Sequence, residues 1–323
     1  MRNKILVTGG AGYIGSKLSY DLTDKGFKVV VFDNLSTGSR KLLNKKVKFY
    51  KIDISKSVKM KKIIKKEKIN TIFHLAASLD VNESMKKPMK YYLNNVVGTE
   101  NLLKSIYGNK SIKKFIFSST CAVYGNVEKE LVDEKNNCNP VSHYGSSKLI
   151  AEKIIKNFAE KNNCSTAILR YFNVIGADYK LRTGIIRSSN QLVKKLSNNI
   201  KEKNYTVNIF GHDYSTKDGT CVRDYIDVND LSKIHIDVMK KLNNHKFKIL
   251  NCGYNKGFSV LDIVKNFEKV IKKKININYK KRREGDVERI RANSNKLIKF
   301  TKKSYKSNII KSLRNSLKWE NKI

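Results

Sequence analysis

The sequence predicts an α/β fold in which a doubly wound parallel sheet carries helices on both faces. The first half of the chain alternates apolar segments of strand length with amphipathic segments of helix length, a pattern typical of parallel βαβ units. A glycine-rich turn joins the first apolar segment directly to the first helical one. The 323 residues suffice for one large domain or two modest ones.

The predicted strands are apolar or β-branched runs that end at polar or small residues. They are Lys4–Thr8, Lys28–Phe32 ending at Asp33, Val47–Ile54, Thr71–Ala77, Lys114–Thr120 and Ser165–Tyr171. Predicted helices lie between them: Ser16–Leu22, the basic Lys59–Lys68 with Met60, Ile63 and Ile64 facing inward, one that holds Tyr91 to Asn95, and one that holds Tyr144 and Lys148. Ligands of such sheets bind beyond the carboxyl ends of the strands.

The turn after the first strand predicts a dinucleotide site. Gly10, Gly12 and Gly15 fit G-x-G-x-x-G, and Gly9, Gly12 and Gly15 fit the variant with two residues in each gap. Glycine permits the tight turn and lets backbone N–H groups approach a pyrophosphate at the helix N-terminus. A strand precedes the turn, a helix follows it, and the next strand comes on schedule, which is the context this motif requires.

Asp33 ends that next strand and indicates which dinucleotide is bound. A carboxylate there accepts hydrogen bonds from the adenosine ribose hydroxyls and repels a 2′-phosphate. The sequence therefore predicts a Rossmann-type site for NAD rather than NADP.

Tyr144 and Lys148 stand four residues apart on a predicted helix, so both side chains project from one face. A free tyrosine has a pKa of about 10 and is a poor base near neutral pH. A lysine ammonium one turn away and a cationic cofactor ring both favour the phenolate. We therefore expect a general base here.

Composition limits the remaining possibilities. The net charge of +39 comes from lysines spread along the whole chain, with only two prolines, so it indicates a compositional bias and we expect no nucleic-acid partner. No apolar run could span a bilayer and no N-terminal signal is visible, so we expect no membrane association. The cysteines lack metal spacing, which predicts no metal and a reduced, cytoplasmic setting. They are Cys121, Cys138, Cys164, Cys221 and Cys252.

Several segments together resemble the UDP-galactose 4-epimerases, a family within the extended short-chain dehydrogenase/reductase superfamily. The matching segments are Thr8–Ser16, Asp33–Gly38, Phe117–Thr120 with Val123–Gly125, Leu169–Asn173 and Arg282–Asp286. The most specific is Phe210–Ile226, which reads FGHDYSTKDGTCVRDYI and is characteristic of the epimerases rather than of the superfamily.

The resemblance implies reversible C4 epimerisation of a UDP-hexose (UDP-glucose/UDP-galactose) through a transient 4-keto sugar, with tightly bound NAD. The implied catalytic residues are Thr120, which would hydrogen-bond the sugar 4-hydroxyl, Tyr144 as base, and Lys148, which would bind the nicotinamide ribose and lower the Tyr144 pKa. The positions implied to bind NAD are Gly9, Gly12, Tyr13, Ile14, Gly15, Asp33, Asn34, Asp53, Ile54, Leu75, Ala76, Ala77, Asn94, Ser118, Tyr144, Lys148 and Tyr171.

For the substrate, the resemblance implies that a UDP-sugar contacts Thr120, Tyr144 and four further positions. These are Asn173, Arg223, Arg283 and Asp286. Arginine suits phosphate because its planar fork donates two hydrogen bonds at once. The family also implies a homodimer, an NAD-binding domain formed by 1–173 plus 221–250, and a smaller, discontinuous UDP-sugar domain formed by 174–220 plus 251–323.

Some positions depart from the family. Val174 replaces a usual proline, Asp227 a usual histidine, and Leu79 stands where some members have a lysine near the cofactor phosphates; residues 187–192 also differ. Ile290 stands where a large or small residue excludes or admits an N-acetyl group, and its intermediate size leaves that choice open.

Alternatives therefore remain. A 4-epimerase of UDP-N-acetylglucosamine or of a UDP-pentose fits the same residues. A nucleotide-sugar dehydratase is less favoured, because Cys121 and Ala122 follow Thr120 where that class has an acidic pair. A non-catalytic binding protein would not need Thr120, Tyr144 and Lys148 together.

Overall fold

The computed structural model describes residues 4–187, 190–243 and 246–323. The strands are β1 Lys4–Thr8, β2 Lys28–Asp33, β3 Lys48–Lys51, β4 Thr71–His74, β5 Lys114–Thr120, β6 Leu131–Val132, β7 Ser165–Tyr171, β8 Asn173–Ile175, β9 Thr206–Phe210, β10 Val222–Asp227, β11 Phe247–Cys252, β12 Gly257–Ser259, β13 Asn276–Lys280 and β14 Arg289–Ala292.

The helices connect these strands. They are α1 Tyr13–Asp24, α2 Ser57–Lys66, α3 Val81–Lys86, α4 Pro88–Tyr91, α5 Gly98–Ile106, α6 His143–Asn162, α7 Leu192–Lys201, α8 Val228–Lys241, α9 Val260–Ile271, α10 Asn295–Thr301 and α11 Ile309–Lys322. A π-helix at Tyr92–Val97 joins α4 to α5, and single 3₁₀ turns lie at Arg40–Leu42 and Cys121–Val123.

The predicted doubly wound parallel sheet is confirmed. Among the described residues, seven parallel strands lie in the order β11-β7-β5-β4-β1-β2-β3. The strand order reverses between β1 and β4, and this is the place where such sheets bind ligands. Strand β1 shows how both faces are covered, because alternate side chains enter different clusters. Ile5 and Val7 pack with α1 and α8, whereas Leu6 packs with α2 and α5.

Two predicted strands are shorter than the sequence suggested. Strand β3 ends at Lys51 because the Asp53 carboxylate accepts a hydrogen bond from the N–H of Ser55 at 2.8 Å and turns the chain. Strand β4 ends at His74, and residues 75–77 leave the sheet to pass over the glycine turn, where the backbone of Ala76 faces Gly9.

The other strands form smaller sheets. In the described part, β12-β10-β14-β6 form one sheet with β8 beside β10, and β13 pairs with β9. A separate apolar cluster holds Val193, Leu196, Ile263 and Phe267. Leu297 of α10 packs instead with the cluster of the large sheet. The domain ranges given above stay a prediction. No described helix is long and apolar enough to cross a membrane.

Candidate active site

The glycine turn is built so that only glycine fits at its critical positions. Gly9 has a φ of +67°, and a Cβ there would lie 2.7 Å from the backbone N of Ala76. A Cβ on Gly15 would lie 2.2 Å from the carbonyl oxygen of Gly9. Gly12 begins α1 without a capping side chain in the described residues, so the N–H groups of the first turn, including those of Tyr13 and Ile14, suit an anion.

Asp33 lies directly beside this turn. Its Oδ2 accepts a hydrogen bond from the N–H of Ala11 at 2.9 Å, and its Oδ1 accepts one from the N–H of Leu35 at 2.8 Å. Burial raises the pKa of Asp33, and these two hydrogen bonds oppose the rise. A narrow glycine cradle with a fixed carboxylate at the end of β2 fits the pyrophosphate and ribose of a dinucleotide.

Three further predicted cofactor residues lie next along the sheet edge. Asn34 donates from Nδ2 to Oδ2 of Asp53 at 2.6 Å. Burial acts to raise the pKa of Asp53, but hydrogen bonds from Ser55 and Asn34 outweigh it and lower the value. Ile54 is buried and packs against Gly98, where a Cβ would lie 2.5 Å from its Cδ1.

The edge beyond β4 depends on a residue that the sequence did not single out. Asn95, 2 % exposed, accepts from the N–H of Ser78 at 2.8 Å and donates to the carbonyl of Ser78 at 3.1 Å and to Oγ of Ser147 at 3.0 Å. It thereby ties residues 75–78, which include the half-buried Leu75, Ala76 and Ala77, to helix α6. The predicted Asn94 is half-buried and donates to Asn95 at 2.9 Å.

A π-helix explains why the sequence period did not identify Asn95 as the buried asparagine, and the assignment of Asn94 to the cofactor stays a prediction. Tyr92–Val97 winds wider than an α-helix, so the 3.6-residue period does not give the buried face there. The Asn–Asn pair at 94–95 was the available signal.

The structure brings Thr120, Tyr144 and Lys148 together. Thr120 ends β5, and Ser142 begins α6 by accepting from the N–H of Gly145 at 3.1 Å. Tyr144 and Lys148 are 9 % and 2 % exposed, and they point from the same face of α6. The hydroxyl of Thr120 hydrogen-bonds that of Tyr144.

The net electrostatic effect on the pair differs from the sequence expectation. Burial raises the pKa of Tyr144 to about 12, and the hydrogen bond from Thr120 only partly opposes it. Burial also lowers the pKa of Lys148 to about 7. The groups of the chain itself therefore hold Tyr144 protonated, and a further positive charge is needed to form the phenolate.

Two other predicted cofactor tyrosines make identified hydrogen bonds. Tyr171 lies opposite Thr120 in the β5/β7 register, and its hydroxyl bonds both Nε2 of His235 and Ser118. The hydroxyl of Tyr13 donates to the carbonyl of Gly176 at 2.6 Å, which joins the glycine turn to the loop after β8.

Charged residues predicted to bind the substrate also meet. Burial raises the pKa of Asp286, and the positive charges of Arg223 and Arg283 oppose that rise. The guanidinium of Arg283 lies 3.7 Å from the ring centre of Phe210. Burial raises the pKa of the Cys121 thiol, and the positive charge of Arg223 opposes that rise. Cys121 in turn contributes to the raised pKa of Tyr144, so Arg223 is electrostatically linked to the catalytic groups.

The structure also shows where the other positions noted in the sequence lie. Asn173 is exposed at the start of β8. Ile290 lies next to Arg223 in the β10/β14 register and is 3 % exposed. Leu79 is exposed, and Asp227 is buried and begins α8. Of residues 187–192, Ser188 and Ser189 lie outside the described residues. Across the described ranges, no cluster of His, Cys, Asp and Glu could hold a metal ion.

The chain is similar to known proteins over most of its length. Residues 5–253 match the model of the NAD dependent epimerase/dehydratase family. The chain is similar to a UDP-glucose 4-epimerase of Rhizobium meliloti (strain 1021), with 38% identity over 91% of this chain and 90% of that protein. A UDP-glucose 4-epimerase of Lactobacillus helveticus is 39% identical over 91% of this chain and 89% of its own.

A solved structure gives the same picture in three dimensions. The UDP-glucose 4-epimerase of Bifidobacterium longum in complex with NAD⁺ and UDP superposes with a TM-score of 0.93 at 32% identity, covering 99% of this chain and 98% of that one.

Proposed function

Because this chain belongs to the NAD dependent epimerase/dehydratase family, we propose that it is a UDP-glucose 4-epimerase that inverts C4 of the sugar with tightly bound NAD. The observation that carries the proposal is the arrangement along one sheet edge. Thr120 ends β5 and the glycine turn follows β1 of the same parallel sheet, Tyr144 and Lys148 lie on α6 beside Thr120, and the charges of Arg223 and Arg283 both act on Asp286.

Inversion at C4 is difficult directly, because that carbon bears no acidic proton. Oxidation to a ketone removes the stereocentre, and reduction from the other face restores it inverted. When bound, NAD supplies the chemistry of accepting and returning the C4 hydride. Gly9, Gly12, Gly15 and Asp33 would hold its pyrophosphate and adenosine ribose.

The residues of the chain move the proton and hold the sugar. Tyr144 takes the 4-hydroxyl proton during oxidation and returns it during reduction. Thr120 hydrogen-bonds the same hydroxyl, and Lys148 binds the nicotinamide ribose. Because the chain alone raises the Tyr144 pKa to about 12, the base forms only where Lys148 is charged and a cationic ring lies nearby.

Binding energy from the diphosphate solves the remaining problem, which is to retain a sugar that must turn over. Arg223 and Arg283 would hold the phosphates by charge-assisted hydrogen bonds. The carboxylate of Asp286 interacts with both positive charges and limits their repulsion. Anchoring at this remote end leaves the hexose free to present either face.

The direct test is turnover of purified protein with UDP-galactose, UDP-N-acetylgalactosamine and UDP-arabinose, scored as C4 inversion. We expect UDP-galactose to be inverted. Ile290, beside Arg223, is of intermediate size and leaves the substrate class open. If UDP-galactose is not inverted but UDP-N-acetylgalactosamine or UDP-arabinose is, the proposed substrate changes to the sugar that is inverted. No turnover of any sugar by the NAD-loaded protein would sink the epimerase proposal.

The assigned base gives a sharper prediction. Tyr144→Phe should lower kcat by about 10² to 10⁴-fold, the usual contribution of general base catalysis, while bound NAD is retained. Tyr305→Phe is the matched control, since it removes a phenol that donates to Asp237 at 2.8 Å away from the site. A Tyr144→Phe variant as active as the control would show that another group is the base.

We also propose that the protein is cytoplasmic and forms a homodimer. All five cysteines are free thiols, which suits a reducing compartment.

Met89, Leu93 and Val97 are exposed at one-turn spacing, at 64%, 59% and 40%, beside helix α6 and would face a second copy. Sedimentation should give a dimer that Leu93→Glu converts to monomer, and a wild-type monomer would exclude this interface.

A further inference from the structure

A buried ion pair lies directly behind Tyr144 and Lys148. Glu152 follows Lys148 by one more helical turn, so the three side chains share the buried face of α6. Arg170 of β7 faces Glu152, and these two side chains are only 3–4 % exposed. An ion pair in such a place carries a desolvation cost, so its stability alone is a weak reason for it to be there.

Arg170 occupies both oxygens of the carboxylate. Its Nε donates to Oε1 of Glu152 at 3.1 Å, and its Nη2 donates to Oε2 at 2.7 Å. Ser119, which pairs with Arg170 in the β5/β7 register, also donates to Oε1. These donors hold the carboxylate away from Lys148, and within the described residues no ion pair joins Lys148 to an acid.

The Nζ of Lys148 lies instead over the ring of Phe117, 4.2 Å from its centre. Burial lowers the pKa of Lys148 to about 7, and the charge of Glu152 opposes this lowering. The other titratable groups around it do not help. Burial lowers the pKa of His74 on β4 to about 3, so it is neutral; Tyr144 is neutral until it becomes the base; and Arg170 is a like charge.

We propose that Glu152 and Arg170 are positioning residues for the C4 epimerisation proposed above, on which this inference rests. Glu152 keeps Lys148 protonated by its charge without contacting Nζ. Arg170 holds both carboxylate oxygens, so that Nζ stays free for the cofactor ribose and for Tyr144. The ion pair thus keeps Lys148 charged and still leaves the ammonium of Lys148 able to make its own hydrogen bonds.

The test compares Glu152→Gln with Glu320→Gln. Both replace a buried glutamate of an ion pair, but Glu320 bonds Lys194 at 2.6 Å, away from the site. The readout is the tyrosinate absorbance of the NAD-loaded protein as a function of pH, with Tyr144→Phe as the blank. In Glu152→Gln, Lys148 should lose its proton first, so the titration of Tyr144 should move up by about one pH unit. Glu320→Gln should not move it.

Turnover gives the second readout. In Glu152→Gln, kcat at neutral pH should fall about tenfold while KM for the UDP-sugar is unchanged, since one pH unit corresponds to a tenfold change in the charged form. A titration of Tyr144 that stays in place or moves down in folded Glu152→Gln protein would overturn the inference. Absence of turnover in the wild type would count against the proposed function instead, and the absorbance titration would still decide this inference.

A variant that leaves Arg170 unpaired could fail to fold. The double variant Glu152→Gln with Arg170→Gln leaves neither charge without its partner. It should shift the Tyr144 titration upward by less than the single variant does. The double variant removes the negative charge of Glu152, which is nearer to Lys148, together with the positive charge of Arg170, which is farther away and acts in the opposite direction. No shift in the folded double variant would contradict the inference.

Discussion

At the residue scale, some buried polar side chains of the site satisfy several partners at once. Asn95 is the clearest case, because one amide satisfies the N–H and the carbonyl of Ser78 and also meets Ser147. Ser147 in turn donates from Oγ to the carbonyl of Tyr144 at 2.8 Å. The position of the proposed base is therefore coupled to the backbone that passes over the cofactor turn.

We predict that Asn95→Ala lowers the free energy of unfolding by about 2 kcal/mol more than Asn94→Ala does. Asn95→Ala leaves polar groups of Ser78 and Ser147 without their hydrogen-bond partner. Asn94→Ala removes only one hydrogen bond, made by a half-buried side chain. Urea unfolding of both variants measures the difference. Equal losses would mean that the network around Asn95 carries no special weight.

At the element scale, the repeating pattern of apolar residues predicted which faces of the strands and helices are buried. Strand β1 alternates between two clusters, and α2 buries Met60 and Ile64 as its pattern requires. Boundaries set by side-chain turns were less predictable, as the early end of β3 at Lys51 shows. The pairing of Glu152 with Arg170 was not predictable, because the partners come from different elements and no period connects them.

In the proposed site, too, features set by the local sequence were predictable and features set by packing between elements were not. Several residues of the site, such as Asp33 and Thr120, end strands of the parallel sheet, and such a sheet brings its strand ends together at one edge, so their common location was predictable. Their roles stay predictions. The direction of the Tyr144 pKa did not follow from sequence, because it depends on how deeply α6 packs and spacing alone does not record that depth.

The glycine turn gives the prediction at this scale. Gly15→Ala should destabilise the protein and abolish NAD retention, since its Cβ would meet the Gly9 carbonyl at 2.2 Å. Gly26→Ala is the control: its φ is +81°, but in the described structure nothing lies within 4 Å of the added Cβ. The control should lose roughly 1 kcal/mol and keep its NAD. Melting temperature and NAD content of the purified proteins measure both effects. NAD retained by folded Gly15→Ala would refute the proposed fit of the turn to the cofactor.

At the scale of the whole molecule, the two faces of the large sheet each bury a neutral histidine. His74 bridges Thr8 at 2.7 Å and Thr99 at 2.9 Å on one face, and His235 joins Tyr171 to the carbonyl of Leu231 on the other. Burial lowers the pKa of His74 to about 3 and that of His235 to about 4. Both histidines therefore link the stability of the whole fold to pH.

The sign of this linkage follows from the two states. An unfolded histidine has a pKa of about 6.5, so below that pH the unfolded chain binds protons that the folded chain refuses. Stability is full above pH 6.5 and is lost as the pH falls towards the folded values. At pH 5, each histidine should cost about 2 kcal/mol. Burial raises the pKa of Asp224 to about 6, which acts in the opposite direction and cancels when variants are compared.

We therefore predict that His235→Gln reduces the acid sensitivity of the fold. The glutamine amide can still meet the Tyr171 hydroxyl but takes up no proton, so the loss of unfolding free energy between pH 7 and pH 5 should shrink by about 2 kcal/mol relative to wild type. His212→Gln makes the same substitution at an exposed histidine and serves as the matched control. Urea midpoints of the three proteins at both pH values decide the question. The same pH-dependent loss in His235→Gln as in wild type would show that His235 is not a neutral buried group.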